Sequence, residues 1–185
     1  MIQFRDGEIG LPPELMAVEQ RFGFEGITRV GDTLWMAVQR EWADDPEHHV
    51  KLVAYNLETE EWGAVLYPKA VPDSGWVGLS EIVAHRDYVY VIERDNQIGA
   101  AAVTKMIYRI PLADMVPAPL GGALPAVSKE EVRDLIPDLL SLNGYVGDKV
   151  EGLAIFADGT AWISTDNDGV DDSSGETYFW SPGQF

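Results

Sequence analysis

Three segments of this 185-residue chain repeat one pattern: a carboxylate, an apolar strand, a tight turn, a second apolar strand and a charged end. They read FEGITRVGDTLWMAVQR, LSEIVAHRDYVYVIERD and VEGLAIFADGTAWISTDND, and their glutamates are Glu25, Glu81 and Glu151. Two further short strands fit after a hairpin, as Lys51–Leu57 and Trp62–Pro68 do after the first. Such a repeat limits the chain to architectures in which similar antiparallel units are placed side by side.

Four strands in a repeat of roughly 50 residues are typical of a β-propeller blade. The sequence therefore predicts an all-β, β-propeller-like fold with about three four-stranded blades, over residues 20–70, 75–120 and 121–185 of one domain, 1–185. Complete propellers have about four to eight blades. We therefore expect the chain to be the C-terminal portion of a larger, truncated propeller, or a set of repeats that assembles with another chain.

Short segments rich in β-branched and aromatic residues predict the individual strands. They are Thr33–Gln39, Lys51–Leu57, Trp62–Pro68, Tyr88–Arg94, Lys105–Leu112 and Thr160–Asp166. Trp35, Tyr88, Tyr90 and Trp162 lie within these strands, where aromatic side chains most often belong to the core. The Pro- and Gly-rich stretch 111–127 is predicted to connect two units.

One segment, SKEEVRDLIPDLLSLNG, carries a helical signal. Ser128 and Glu131 have the spacing of a capping box, and Asn143-Gly144 is a typical helix end. Pro137 interrupts the pattern, so we expect only a short helix around residues 138–142.

Composition excludes several classes of partner. The formal net charge is −18 and the pI is about 4.3, so the surface repels nucleic acids and anionic membranes. No apolar run is long enough to span a bilayer, and the first twenty residues lack the basic and apolar regions of a signal peptide. There is no cysteine, which excludes disulfides and thiolate metal sites.

The repeated glutamates begin hairpins whose other ends are charged. The two ends of an antiparallel hairpin are neighbours. The predicted neighbours are Gln39 and Arg40 for Glu25, then Glu93, Arg94 and Asp95 for Glu81, and Asp166, Asn167 and Asp168 for Glu151. Because the innermost strands of a propeller surround its channel, these ends would form an acidic ring at one channel mouth.

Carboxylates that lie close together raise each other's pKa unless a cation lies between them. Arg40 and Arg94 are candidate partners for Glu25 and Glu81. These pairs would either serve the site or only fix the hairpin register, and both interpretations stay open. Glu81 also lies one place off the register of the other two hairpins, which would turn its side chain to the other face unless a bulge compensates.

A metal site is predicted at the third hairpin. The neighbours of Glu151 are all acidic or amide, and STDNDGVDDSSGE (164–176) is the densest acidic run of the chain. Oxygen donors suit Ca²⁺ or Mg²⁺, so Glu151, Asp166, Asn167 and Asp168 are predicted calcium ligands. The alternative is a solvated acidic turn. Ser80, in GLSEI, lacks the Gly-x-Ser-x-Gly pattern of a nucleophile elbow and has no evident activating His.

GFEGIT, GLSEI with VIERD, and KVEGLAI with TDNDGVDDSSGE resemble the phytase-like family described by its esterase-like activity of phytase. The resemblance covers nearly the whole chain. It implies a β-propeller, usually in exported bacterial proteins, periplasmic or secreted, with a hydrolytic role on phosphate or other esters. The family's recurring acidic groups correspond here to Glu25, Glu81, Glu93, Glu151, Asp166 and Asp168. Compared with a full-length member, we expect this chain to lack the N-terminal blades and an export signal.

Three functions follow as hypotheses. The first is a calcium-assisted esterase or phosphoesterase acting on small molecules. Its predicted catalytic residues are Glu25, Glu81, Glu93 and Glu151, and its predicted substrate-binding residues are Arg40 and Arg94. The second is a calcium-dependent, lactonase-like hydrolase. The third is a non-enzymatic propeller that binds partners or acts as a scaffold, since one fold supports many functions.

Overall fold

Short antiparallel strands dominate the structure. The computed structural model describes residues 9–72, 74–167 and 176–185. In these residues the strands are β1 Phe24–Val30, β2 Thr33–Val38, β3 His49–Asn56, β4 Trp62–Pro68, β5 Val77–His85, β6 Tyr88–Asp95, β7 Lys105–Pro111, β8 Ala118–Pro119, β9 Glu130–Asp134, β10 Val150–Ile155, β11 Thr160–Thr165 and β12 Phe179–Gln184. The helices are α1 Pro13–Met16 and α2 Ile136–Asn143, with single 3₁₀ turns at Gly99–Ala101 and Leu112–Asp114.

The strands form three antiparallel sheets within the described ranges. Their orders are β1-β2-β3-β4-β8 in the first sheet, β5-β6-β7-β9 in the second and β10-β11-β12 in the third. Each sheet begins with one of the three hairpins identified in the sequence, and the prediction of an all-β fold is confirmed. All six strands predicted from residue composition are present, with ends that differ by at most two residues.

The capping-box prediction at Ser128 and Glu131 is wrong. Residues Glu130–Asp134 form β9, an extended strand paired with β7, and the Ser128 hydroxyl donates to the carboxylate of Asp114. The short helix itself is confirmed as α2. Pro137 lies in its first turn, where a missing N–H costs no intrahelical bond, and Gly144 ends the helix with a φ of 78°.

The stretch 111–127 returns to the first sheet before the chain continues. Its strand β8 pairs with the edge of β4, and Ala126 forms a bridge with Leu66. The chain then adds β9 to the second sheet, which therefore extends to Asp134, past the predicted blade boundary at residue 120. The chain thus leaves the second sheet after β7, adds β8 to the first sheet and returns to the second sheet as β9, a connection that hydrophobic patterning does not reveal.

Apolar side chains fill the spaces between neighbouring sheets. One core cluster joins the first sheet to the second and includes Trp35, Leu52 and Ile82. Another joins the second sheet to the third and includes Tyr90 and Leu153. Full burial of one such side chain stabilises the fold by about 1.5–3 kcal/mol. A smaller cluster lies on the far side of the first sheet, where α1 and nearby residues cover part of β2 and β3.

The first strands of the three sheets lie side by side, with β5 between β1 and β10. The amide of Ala84 on β5 donates to the Thr28 hydroxyl on β1 at 2.9 Å. A Cβ atom at Gly26 would lie only 2.7 Å from the amide nitrogen of Ile82, so glycine permits this close approach. No helix in the described part of the chain is long and apolar enough to cross a membrane.

Candidate functional site

The three first strands share an irregularity at the same point. The register shifts by one residue between Phe24 and Gly26, between Leu79 and Glu81, and between Val150 and Gly152. The extra residues are therefore Glu25, Ser80 and Glu151, which occupy equivalent bulge positions. Bulges often occur beside active sites, where they redirect a side chain. The predicted offset of Glu81 is thus confirmed: it corresponds to Gly26 and Gly152, and Ser80 takes the position of the other two glutamates.

A buried arginine joins two of these bulges. The Arg94 side chain on β6 is only 2% exposed. Its Nε donates to the Ser80 hydroxyl at 3.0 Å, and its Nη2 donates to the Glu151 carboxylate at 2.6 Å. Its Nη1 donates to Asp148 at 3.0 Å. The predicted pairing of Arg94 with Glu81 is therefore wrong, because Arg94 reaches across to the third sheet instead.

Glu25 lies close enough to this group to interact with it electrostatically. Glu25 is an exposed residue of β1, but partial burial of its carboxyl is the largest cause that raises its pKa above the ordinary value of 4.5, and the neighbouring Glu151 raises it further. Arg94 and Lys149 act in the opposite direction. Glu25 thus lies near enough to Glu151 and Arg94 for their charges to act on its carboxyl, and Glu151 is hydrogen-bonded to the Arg94 guanidinium.

A second buried ion pair lies behind Arg94. Lys105 and Asp95 are both fully buried, with 3.0 Å between the Lys105 Nζ and a carboxylate oxygen of Asp95. The same ammonium donates to the backbone carbonyl of Asp148 at 2.8 Å. Asp95 also accepts the amide hydrogens of Val103 and Thr104. Lys105 therefore fixes the backbone of Asp148, whose side chain holds Arg94.

Arg40 lies between two aromatic rings near the same end of the sheets. Its guanidinium carbon is 4.4 Å from the centre of the Phe22 ring and 4.9 Å from that of Trp76. Trp76 is also contacted by Arg94, at 5.2 Å. Among the described residues, the buried Nε of Arg40 has no hydrogen-bond partner, and Arg40 forms no ion pair with Glu25. The predicted Arg40–Glu25 pair is therefore not formed.

Glu81 and Glu93 lie outside this group. The Glu81 carboxylate accepts the amide hydrogen of Ile82 at 2.9 Å, and burial raises its pKa above 4.5. Glu93 is fully buried and accepts hydrogen bonds from the Tyr67 hydroxyl at 2.7 Å and from Lys129 at 2.5 Å. These contacts favour a structural role for Glu93. The catalytic assignments of both glutamates stay predictions.

The predicted calcium ligands are only partly within the described residues. Asp166 follows β11, and its amide pairs with the carbonyl of Lys149 at 3.0 Å. Asn167 comes next, and Asp168 lies outside the described residues. Glu151 is held by Arg94. In the described ranges, no three His, Asp or Glu side chains are grouped as metal ligands. Because Asp168 is outside the described residues, calcium binding stays a prediction.

Several residues of the group were not identified from the sequence as members of a site. Ser80, Asp148, Lys105 and Trp76 carry no recognisable motif. The one-residue offset between LSEI and its counterparts was the available signal for Ser80, because it places a serine where the other hairpins have glutamate. The contacts of Lys105 and Asp148 depend on sheet packing, which a single sequence does not show.

The comparisons with known proteins agree with the resemblance of the motifs. The chain matches the model of the phytase-like family, described as "Esterase-like activity of phytase", over residues 3–169. No curated protein and no solved structure matches it. The matched range contains all three hairpins, both arginines and every residue of the group around Arg94. The chain therefore belongs to the phytase-like family.

Proposed function

We propose that the chain hydrolyses ester bonds of small molecules, phosphate esters included, with Glu25 and Glu151 as an acid–base pair. Membership of the phytase-like family suggests a hydrolase-like function. The observation that carries the proposal is a buried arginine that holds the Glu151 carboxylate, together with Glu25 on another sheet, near enough for the charges of Arg94 and Glu151 to act on its carboxyl. Perturbed acids that lie next to a fixed charge are typical of functional sites, although structural ion pairs also perturb pKa values.

The two carboxyls suit different steps. Glu151, paired with Arg94, takes a proton from a water molecule, whose oxygen attacks the ester carbon or phosphorus. As the bond to the leaving oxygen breaks, Glu25 gives its proton to that oxygen, which departs as an alcohol. Burial and the charge of Glu151 both favour the protonated form of Glu25 at the start of this cycle.

The two arginines have different contacts and so different roles in the proposal. Arg94 already donates to Ser80, Asp148 and Glu151, so it orients the base. Arg40 has a hydrogen-bond donor without a partner in the described residues, and stacking against two rings holds its guanidinium in place. It is the better group to bind a phosphate or carboxylate oxygen of the substrate.

We also infer that the three sheets are blades of a β-propeller. The supporting observations are the repeated hairpins, the side-by-side first strands and the equivalent bulges at one end of those strands. In this arrangement Glu25, Ser80 and Glu151 belong to one mouth of the central channel. We also propose that Glu151, Asp166, Asn167 and Asp168 hold a calcium ion that aids substrate binding, and no step above depends on it.

A substrate panel tests the proposal. The chain is assayed with glycerol phosphate, ethyl acetate and a γ-lactone, whose leaving alkoxides need a proton, from pH 4 to 9, with added Ca²⁺ and with EDTA. We expect ester hydrolysis whose rate falls as pH rises through the pKa of Glu25, because the acid must carry a proton. That limb lies above pH 4.5, since the Glu25 pKa is raised. In the Glu25→Gln variant the limb is expected to disappear.

The different substrates and the EDTA assay distinguish an esterase from a lactonase-like enzyme and from a binding module. Turnover of the lactone alone would favour a lactonase-like activity, and loss of turnover with EDTA would support the calcium prediction. No hydrolysis of any substrate by a folded protein, with or without Ca²⁺, would overturn the proposal and favour a binding module.

A further inference from the structure

We propose that the exposed face of the third sheet binds the exposed first strand of a second copy of this chain, closing a ring of six sheets. This inference rests on the proposed propeller arrangement and does not depend on the proposed hydrolysis. The three sheets share equivalent positions. The two contacts between sheets within the chain therefore show how a further sheet would pack.

One face of each sheet carries an aromatic residue at the same register position. Trp35 lies opposite Thr28 in the first sheet, Tyr90 opposite Val83 in the second, and Trp162 lies opposite Ala154 in the third. Trp35 and Tyr90 are each 2% exposed because the following sheet covers them. Trp162 occupies the equivalent position in the third sheet. In the first and second sheets, the next sheet covers the aromatic residue at this position.

The opposite face of each sheet carries an aliphatic residue on its first strand. Ile27, Ile82 and Leu153 each come directly after the residue that follows the bulge. Ile82 shares a core cluster with Trp35, and Leu153 shares one with Tyr90, so both are nearly fully buried. Ile27 is 58% exposed. Ile27, on the first strand of the first sheet, is therefore available to pack against Trp162 in a contact between two sheets.

Trp162 is half-buried and shares its face of β11 with Thr160 and Ser164, and exposed apolar side chains lie on neighbouring segments. Phe179 stacks on Trp162 with ring centres 4.8 Å apart, yet it is 69% exposed. Phe156 is 56% exposed, and Ala154 is also exposed. Contiguous exposed apolar residues of this kind typically mark an interaction surface.

A second copy would cover both the Trp162 face of the third sheet and the Ile27 face of the first sheet. In a dimer with two-fold symmetry, the third sheet of each copy packs on the first sheet of the other, which forms two identical Trp162–Ile27 contacts. The resulting six sheets lie within the range of four to eight found in closed propellers. α1 and its cluster cover part of this same face, over Met36, Val53 and Trp62, and leave Ile27 on β1 accessible.

The second copy would also contribute to the acidic end of the sheets. Arg94 and Asp166 occupy equivalent positions in the second and third hairpins. Each is paired with the residue two places before the bulge residue of its hairpin. Arg94 contacts the bulge residue of the next sheet, Glu151. In the ring, Asp166 would therefore approach Glu25 of the second copy. The repulsion of these carboxylates, together with the net charge of −18, opposes association and is screened by salt.

Sedimentation velocity over a range of protein concentrations, in 0.15 M and 0.5 M NaCl, tests the proposal. We expect the wild type to have twice the 20.4 kDa mass of one chain. Trp162→Glu and Ile27→Glu should each raise the dimer dissociation constant at least about 30-fold, as expected for a central contact residue. Val71→Glu is the matched control, because Val71 is 68% exposed and lies on neither face, and it should leave the dimer intact.

Mixing the two variants gives the sharpest result. A Trp162→Glu chain and an Ile27→Glu chain together retain one intact Trp162–Ile27 contact, so dimer should reappear on mixing. Coincident circular dichroism spectra would show that each variant folds. A wild-type monomer at every concentration, or a dimer that Ile27→Glu leaves unchanged, would overturn the proposal. If the wild type were a monomer at every concentration and still hydrolysed esters, the dimer would be overturned and the proposed function would stand.

Discussion

Replacing Glu151 with glutamine is expected to lower kcat/KM for the best ester substrate by about 10²–10⁴-fold, the usual contribution of a general acid or base. The amide keeps the size of the side chain and can still accept a hydrogen bond from Arg94, but it cannot take a proton from water. Glu25→Gln is expected to lower kcat/KM by a similar factor. Steady-state kinetics at the optimum pH of the wild type provide the measurement.

The matched control for these variants is Glu130→Gln. Glu130 is also a glutamate in an ion pair with an arginine, Arg109, but that pair is exposed and belongs to β7 and β9. The Glu130→Gln variant should keep full activity. If Glu151→Gln and Glu25→Gln both retained wild-type kcat/KM, neither carboxyl would take part in the reaction.

Replacing Lys105 with methionine is expected to lower the free energy of unfolding by about 3–5 kcal/mol. The variant keeps the apolar stem but leaves the Asp95 carboxylate, which is fully buried, without its counter-ion. It also removes the hydrogen bonds from Lys105 to the backbone carbonyls of Asp95 and Asp148. Breaking one half of a buried pair is strongly destabilising because the remaining charge cannot reach water. Urea denaturation followed by circular dichroism measures the loss.

Arg109→Met tests whether burial is the cause. Arg109 and Glu130 are paired at 2.8 Å, a distance similar to that of the Lys105–Asp95 pair, but their side chains are 35% and 50% exposed. Surface pairs contribute about 0–1 kcal/mol. A loss below about 1 kcal/mol for Lys105→Met as well would show that the buried pair does not hold Asp148 and Arg94 in place.

The strand content could be predicted because alternating β-branched and aromatic residues reflect a local property, the two-residue period of a strand. The offset of Glu81 was visible for the same reason: aligning the hairpins places it against two glycines. The local sequence at β9 predicts the wrong structure. SKEE fits a capping box, but pairing with β7 makes this segment a strand. Contacts between distant segments outweigh such local preferences.

The candidate site was predicted in part. Glu25 and Glu151 were both identified, since each begins a repeated hairpin. The partner of Arg94 was not, because the sequence suggested a contact within its own hairpin, and packing of the second sheet on the third brings Glu151 closer. The burial of Glu93 likewise depends on Tyr67 and Lys129, which are distant in sequence. Contacts between sheets have no signature in a single sequence.

The most direct measurement of the site is a ¹³C NMR titration of the Glu25 side-chain carboxyl in the wild type and in Glu151→Gln. The Glu25 pKa should lie above 4.5 in the wild type and fall in the variant, because the charge of Glu151 is one of the two causes that raise it. A Glu25 pKa that is the same in both proteins would show that the two carboxyls do not share a site, and would contradict the proposed acid–base pair.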